Sequence, residues 1–342
     1  MRLAIHELLE SAPVTDAAIE KFLGAHEFPL VERRSATFVF RGAADEVDLV
    51  HWVYGLESSQ PFERVAGANF WYRVMDLPER SRVEYKLGVT RDGRAELRRD
   101  ALNAKVARDP YGANSVVYGS GYEPPEWAVG NDESRKGEVR EHRLKSRAFG
   151  EVRPIQVYTP ARYRPSRRYP VLIVHDGPDY LRFAALREVL DNLIHRLEIP
   201  PMVVAFTASS DRLVEYADDE RHTKFLVDEL LPTLEEEYSL LSYPAAKGLM
   251  GASFGGVASL AAAWRSPGTF GRLLLQSGSF AFTDIGSHDR GPVFDPVVEF
   301  VNRFRQQPGE PSEAVYLSCG RYESLIYYNL SLIHISEPTR PY

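Results

Sequence analysis

The residues best placed to do chemistry lie in one short stretch, Gly248-Leu249-Met250-Gly251-Ala252-Ser253-Phe254-Gly255-Gly256. It contains G-x-S-x-G with Ser253 at the centre, an apolar lead-in before it and an Ala-rich run from Val257 to Trp264 after it. That order predicts a strand, a sharp turn and a helix, the setting in which a serine hydroxyl is lifted clear as a nucleophile. Gly251 and Gly255 flank the turn, where larger side chains would collide with neighbouring backbone. The first amides of the helix have no partner within it, so the Phe254 N–H can donate to an oxyanion. The chemistry indicated is attack on an acyl carbonyl. An incidental serine in a Gly-rich turn is the structural alternative.

A nucleophilic serine needs elements that bring donors, an acid and a base to the same place. From Gly137 onward the sequence supplies such elements in α/β order. Strands are expected at Glu138–Leu144, Pro154–Thr159, Tyr169–His175, Met202–Phe206, Lys247–Met250, Arg272–Gln276 and Ala314–Cys319. Helical stretches lie between them, clearest at Phe183–Arg196 and Asp219–Tyr238. Short apolar strands alternating with helices predict a largely parallel sheet, with reacting groups at the carboxyl ends of its strands.

Three more groups fall at those ends. His175-Asp176-Gly177-Pro178-Asp179 is either the loop that would supply a second oxyanion donor or an ordinary Gly-Pro turn. Pro178 has no N–H, so the donor is Gly177 or Asp179. Within Ser209–Tyr216, Arg212 and Tyr216 are candidates for binding substrate; Arg212 either meets an anionic or catecholate-like group or pairs with Glu215. Glu323, in Cys319-Gly320-Arg321-Tyr322-Glu323, is the candidate acid of a Ser–acid–His triad, because on this fold the acid follows the serine in the chain. A solvated loop carboxylate is the alternative.

The base is the gap. His334 follows Glu323 by only eleven residues, whereas an intervening helix and strand need about 20. His6, His26, His51, His142, His175, His195, His222 and His288 all precede the acid. His175 serves the oxyanion loop more naturally than Ser253, and His288 reads as a solvated loop residue. Ser331–Tyr342 resembles translated sequencing-adapter read-through. The expectation is that native sequence ends near Asn329, with the catalytic histidine beyond this chain and the chain as it stands inactive.

The N-terminal third differs in period. Thr15 and Gly24 bracket a helix, and strands are expected at Ala36–Arg41, Glu46–Tyr54, Asn69–Asp76 and Arg82–Thr90, with Arg91-Asp92-Gly93 as a hairpin turn. This predicts a β-sandwich. Trp52, Trp71 and Tyr72 are either core or a sugar- or aromatic-binding face, and residues 100–114 read as irregular. The expected organisation is a helical segment plus sandwich over 1–120, a linker over 121–136, an incomplete catalytic domain over 137–330 and a non-native tail over 331–342.

Composition sets the outer bounds. The chain has 342 residues, 44% hydrophobic and 26% charged, which is ordinary globular usage. A net charge of −7 gives no reason to expect nucleic acid or an anionic membrane as partner. The lone Cys319 allows no internal disulfide and no thiol metal cluster. No secretory signal and no membrane-length apolar run is visible, so a cytoplasmic protein without cofactor or metal is expected, acting on a small-molecule ester. Oligomeric state is not legible.

Taken together, the chain from about 36 to 329 resembles the enterochelin (siderophore) esterase family and related esterase-D-like α/β hydrolases. The resemblance rests on Glu229-Leu230-Leu231-Pro232, Gly251–Gly256, Gln276-Ser277-Gly278-Ser279-Phe280, Arg212–Tyr216 and Cys319–Glu323. It also draws on Asp100-Ala101-Leu102-Asn103, similar to an Asp-Pro-Leu-Asn turn of those esterases. It implies an α/β-hydrolase fold behind an immunoglobulin-like sandwich, and serine hydrolysis of carboxylic esters, siderophore trilactones among them. Glu323 departs from the family's usual acid, and the Gly-His loop that closes the family's site is absent. A carbohydrate-linked feruloyl or acetyl esterase, an acyltransferase and a non-catalytic binding protein on the same fold are the alternatives.

Overall fold

The structure, a computed structural model, describes residues 2–10, 13–283 and 290–336, and side chains as far as 333. The chain divides into two compact units, Met1–Pro124 and Pro125–Tyr342.

The first unit begins with helices α1 (Ala4–Glu10) and α2 (Asp16–Ala25), the latter capped by the Thr15 hydroxyl, which accepts the Ala18 N–H at 3.2 Å. Ten strands follow: β1 (Leu30–Glu32), β2 (Ser35–Arg41), β3 (Glu46–His51), β4 (Ser59–Pro61), β5 (Glu63–Arg64), β6 (Phe70–Asp76), β7 (Arg82–Arg91), β8 (Arg94–Arg98), β9 (Val106–Asp109) and β10 (Gly112–Tyr118). They form two antiparallel sheets, β1-β2-β6-β5 and β4-β3-β7-β10-β9, with β8 paired to β7. Phe38, Phe40 and Trp71 from one sheet share a core with Leu49, Tyr85 and Leu87 from the other. Val39 and Phe70 point the opposite way, under Ile5, Ile19 and Phe22 of the helices. That two-sided burial is why β2 is apolar throughout rather than alternating.

Two local expectations change here. Trp71 is in the core while Trp52 is 55% exposed and Tyr72 packs on the helix side, so the three rings share no face. Residues 100–114 are not irregular. The Tyr85 hydroxyl donates to Asp100 Oδ2 at 2.7 Å and accepts from Asn103 Nδ2 at 3.0 Å, a buried network that fixes the turn before the β9–β10 hairpin. Burial raises the Asp100 carboxyl above its ordinary pKa, only partly opposed by the Tyr85 hydrogen bond.

The second unit is a seven-stranded sheet, order β11-β12-β14-β13-β15-β16-β17. Its strands are β11 (Glu138–Lys145), β12 (Val152–Thr159), β13 (Val171–Val174), β14 (Val203–Thr207), β15 (Lys247–Ala252), β16 (Arg272–Gln276) and β17 (Ala314–Ser318). The β11–β12 and β12–β14 pairs are antiparallel and the other pairs parallel. Alternate side chains feed two cores, with Ile173, Ala205 and Leu249 on one face and Val174, Phe206 and Met250 on the other.

The helices are α3 (Gly177–Phe183), α4 (Leu186–His195), α5 (Arg212–Glu215), α6 (Glu220–Lys224), α7 (Leu231–Glu237), α8 (Phe254–Arg265), α9 (Asp295–Gln306) and α10 (Ile326–Ser336). The single helix expected over Asp219–Tyr238 is α6 and α7 joined by a widened π-type stretch, Phe225–Leu230. Pro232 has no N–H for the carbonyl four residues back, and widening the ladder beside it accommodates the loss. Among the described residues, no helix is long and apolar enough to cross a membrane.

Candidate active site

Ser253 joins the end of β15 to the start of α8 with φ 56° and ψ −120°. A left-handed conformation at a non-glycine residue costs about 1–3 kcal/mol and persists only where its surroundings enforce it. Here they do. The Ser253 N–H donates to the Gln276 carbonyl at 3.0 Å, and its own carbonyl accepts the amides of Gly256 at 3.1 Å and Ser279 at 3.2 Å. A Cβ on Gly251 would sit 2.3 Å from the Gly255 carbonyl oxygen, so the turn closes only with glycine there. The Ser253 hydroxyl lies 2.9 Å from the hydroxyl of Ser279.

Beside β15 runs β13, with Val174 in register with Met250, so the loop His175–Asp179 emerges next to the elbow. Asp176, at φ 52°, turns the chain into α3. The Asp179 N–H already donates to the Asp176 carbonyl at 3.0 Å. One of the two amides that the sequence offered as second oxyanion donor is thus engaged within the loop.

Arg212 does not pair with Glu215. Its Nε donates to both carboxylate oxygens of Asp176, at 3.0 and 2.9 Å, and its Nη2 reaches the Ala252 carbonyl at 3.2 Å. Burial raises the Asp176 carboxyl, and the Arg212 charge holds that rise back. Tyr216 is fully buried, and its hydroxyl accepts the Asp176 N–H at 3.3 Å. It therefore supports the loop after β13 from behind and has no exposed surface with which to face a substrate. Glu215 turns inward to Arg153 of β12, at 2.7 and 2.8 Å, which anchors α5.

Glu323 follows β17, whose end is tied to that of β16 by the Ser277 N–H on the Ser318 carbonyl at 2.7 Å. Its Oε1 accepts the Gly320 N–H at 2.8 Å. Burial and the nearby Glu323 charge push the Cys319 thiol up to about 11, so Cys319 is no nucleophile at neutral pH. Sequence reading passed over Asn329. Its fully buried side chain clasps both backbone groups of Gly278, donating to the carbonyl at 2.9 Å and accepting the N–H at 3.0 Å. That fixes the turn from which Ser279 touches Ser253. Ser279 itself was within reach, since it follows a strand at the sheet's carboxyl edge.

Among the described residues no histidine ring hydrogen-bonds Ser253. His288 lies outside the described residues, as does the side chain of His334. His175 is fully buried beneath the elbow, with Nδ1 3.1 Å from the Met250 carbonyl and Nε2 2.9 Å from Nε2 of His222. The Ser259 hydroxyl, 3.0 Å from the same Nδ1, donates to the Gly255 carbonyl. The Met250 carbonyl therefore assigns the proton to His175 Nδ1, and His222 donates to His175 Nε2.

Both rings are held neutral. Burial pushes His175 down to about 4, and burial together with His175 pushes His222 well below the usual histidine range. Folded pKa values below the unfolded 6.5 mean that this stability is present above pH 6.5 and is lost as pH falls toward 4. Each ring contributes a slope of up to about 1.4 kcal/mol per pH unit, or about 3 kcal/mol in all for His175. Denaturant unfolding between pH 7.5 and 5 is expected to show it. His222→Phe, set among Phe149, Tyr216 and Phe225, should flatten the slope by one ring's share; an unchanged slope would count against the neutral pair.

Residues 146–336, more than half of the chain, match the family described as "Putative esterase". The chain belongs to that family. The iron(III) enterobactin esterase of Escherichia coli strain K12 is 27% identical over 276 residues, covering 71% of this chain and 68% of that one. An uncharacterized Bacillus subtilis protein, YjcH, is 28% identical over 150 residues, covering 42% of this chain and only 62% of that relative's length. In structure, the ferric enterobactin esterase of Salmonella typhimurium superposes with a TM-score of 0.70 at 18% identity, over 93% of this chain and 98% of that one. The fold of this esterase-family chain is therefore that of an α/β hydrolase.

Proposed function

We propose that this protein is a serine ester hydrolase that acts through an acyl-enzyme on catecholate siderophore esters. The observation that carries the reading is Ser253, held left-handed between β15 and α8. The enforced turn has no packing purpose that glycine would not serve better, and it frees the hydroxyl for attack. In the proposed reaction Ser253 Oγ bonds to the ester carbonyl carbon while an imidazole outside the described residues takes its proton. The Phe254 and Gly177 amides receive the oxyanion. The alkoxide leaves with that proton, and water then releases the acid and restores Ser253.

Glu323 is proposed to orient the imidazole. Arg212, its side chain 30% exposed and its Nε held by Asp176, is proposed to offer the rest of its guanidinium to a catecholate beside the elbow. The Escherichia coli relative named for iron(III) enterobactin supports this substrate class. Turnover of iron(III) enterobactin and of methyl ferulate by a chain that supplies this imidazole, followed by chromatography, tests it. The enterobactin ester is expected to be cleaved with the higher kcat/KM. Preference for the ferulate would overturn the siderophore assignment, and cleavage of neither would overturn the hydrolase.

A further inference from the structure

We propose that the second unit carries another ligand site, a basic cavity that takes a compact polyphosphate anion. A cavity of about 500 Å³ is lined by Arg135, Arg162, Arg164, Arg167 and His195, with no Asp or Glu on its wall. The loops that form it precede β13 and β14, placing it at the opposite end of the sheet from Ser253.

Charge makes the cluster unusual. The chain is net acidic, at −7, yet among the described residues none of these four guanidinium groups is in an ion pair. Of the nearby carboxylates, Glu126 and Glu198 pair with Arg196 at 3.0 and 2.6 Å, while the exposed Asp132 and Glu133, just before Arg135 in the chain, form no ion pair with it. Like charges gathered around one cavity repel, and an anion that bridges them removes that cost. Planar guanidinium forks match phosphate oxygens in pairs, whereas a single carboxylate would leave most of the donors unused.

The backbone holding the arginines is fixed in advance. Tyr163 stacks on Tyr169 with ring centroids 4.9 Å apart. The Arg164 N–H donates to the Tyr169 hydroxyl at 3.0 Å, and the Arg167 N–H donates to the Arg164 carbonyl at 3.0 Å. The Ser239 hydroxyl donates to the Pro165 carbonyl, tying the loop down between the two arginines. Arg162 sits in a turn at φ 61°. A ligand therefore orders side chains only, not the loop that carries them.

The site can be tested without reference to catalysis. Calorimetric titration with inorganic tripolyphosphate, ATP and adenosine, in about 50 mM salt so that exposed charges remain unscreened, should show one site for the two polyphosphates and none for adenosine. ATP at least tenfold tighter than tripolyphosphate assigns the site to nucleotides; equal affinity assigns it to the phosphate chain alone. Arg164→Ala/Arg167→Ala should weaken tripolyphosphate binding at least tenfold. The exposed pair Arg94→Ala/Arg99→Ala in the first unit, which removes the same charge, should leave it unchanged. No binding, equal loss in both variants, or duplex RNA or anionic vesicles that tripolyphosphate cannot displace would each overturn the proposal.

Discussion

In a chain that supplies the catalytic imidazole, Ser253→Ala is expected to abolish ester turnover, lowering kcat by on the order of 10⁶-fold toward the residual rate that oxyanion donors and binding alone supply. The loss should come without unfolding, because alanine keeps the Cβ and every backbone hydrogen bond of the elbow and gives up only the contact with Ser279. Ser253→Gly separates chemistry from strain. Glycine accepts φ 56° at no steric cost, so this variant should match alanine in lost turnover yet be more stable than the parent by about 1 kcal/mol. Steady-state hydrolysis with denaturant unfolding on the same samples reads both. Turnover retained in either variant would remove Ser253 from the mechanism. Turnover lost only in step with unfolding would reduce it to a structural residue.

What the sequence disclosed followed the range of the interactions. The elbow was legible because everything that shapes it lies within a few residues: apolar strand, glycine, serine, glycine, alanine-rich helix. The inner strands β13 to β16 were legible for the same reason, each a short, largely apolar run between breakers. The contacts that position the site connect distant segments. Asp176 and Arg212 are 36 residues apart, His175 and His222 are 47 apart, and Gly278 and Asn329 are 51 apart. Each side chain has an ordinary solvent-facing reading in isolation, which is why the sequence offered Arg212 an anionic ligand or its near neighbour Glu215, and not Asp176. In the first unit, β9 and β10 were obscured by turn residues at both ends, and pairing makes them strands, β10 with β7 and β9 with β10.

Arg153 shows how much such a contact can carry. Its place in Val152–Thr159 suggests a charge on the outer side of an antiparallel strand, yet its side chain is 3% exposed and that of Glu215 is 5% exposed. Burial works to raise the Glu215 carboxyl, but hydrogen bonds from Arg153, Ser209 and the Asp211 amide outweigh it, so the group lies below its usual range. Phe149 covers the guanidinium at 3.9 Å. Arg153→Met is therefore expected to cost about 3–5 kcal/mol, because it strands a carboxylate where water cannot reach it. The penalty should shrink as pH falls from 7 toward 4.5: without Arg153, burial raises the folded carboxyl above its unfolded value, and protonation then stabilises the fold. Arg153→Met/Glu215→Leu should recover most of the loss, since a buried pair replaced by apolar groups of similar size is often near neutral. Denaturant unfolding of the parent, Arg153→Met, Glu215→Leu and the double variant at pH 7 and pH 5 measures the cycle. A single-variant loss below about 1 kcal/mol, typical of exposed pairs, would mean that α5 and the Arg212–Asp176 contact it carries are held by something other than this pair.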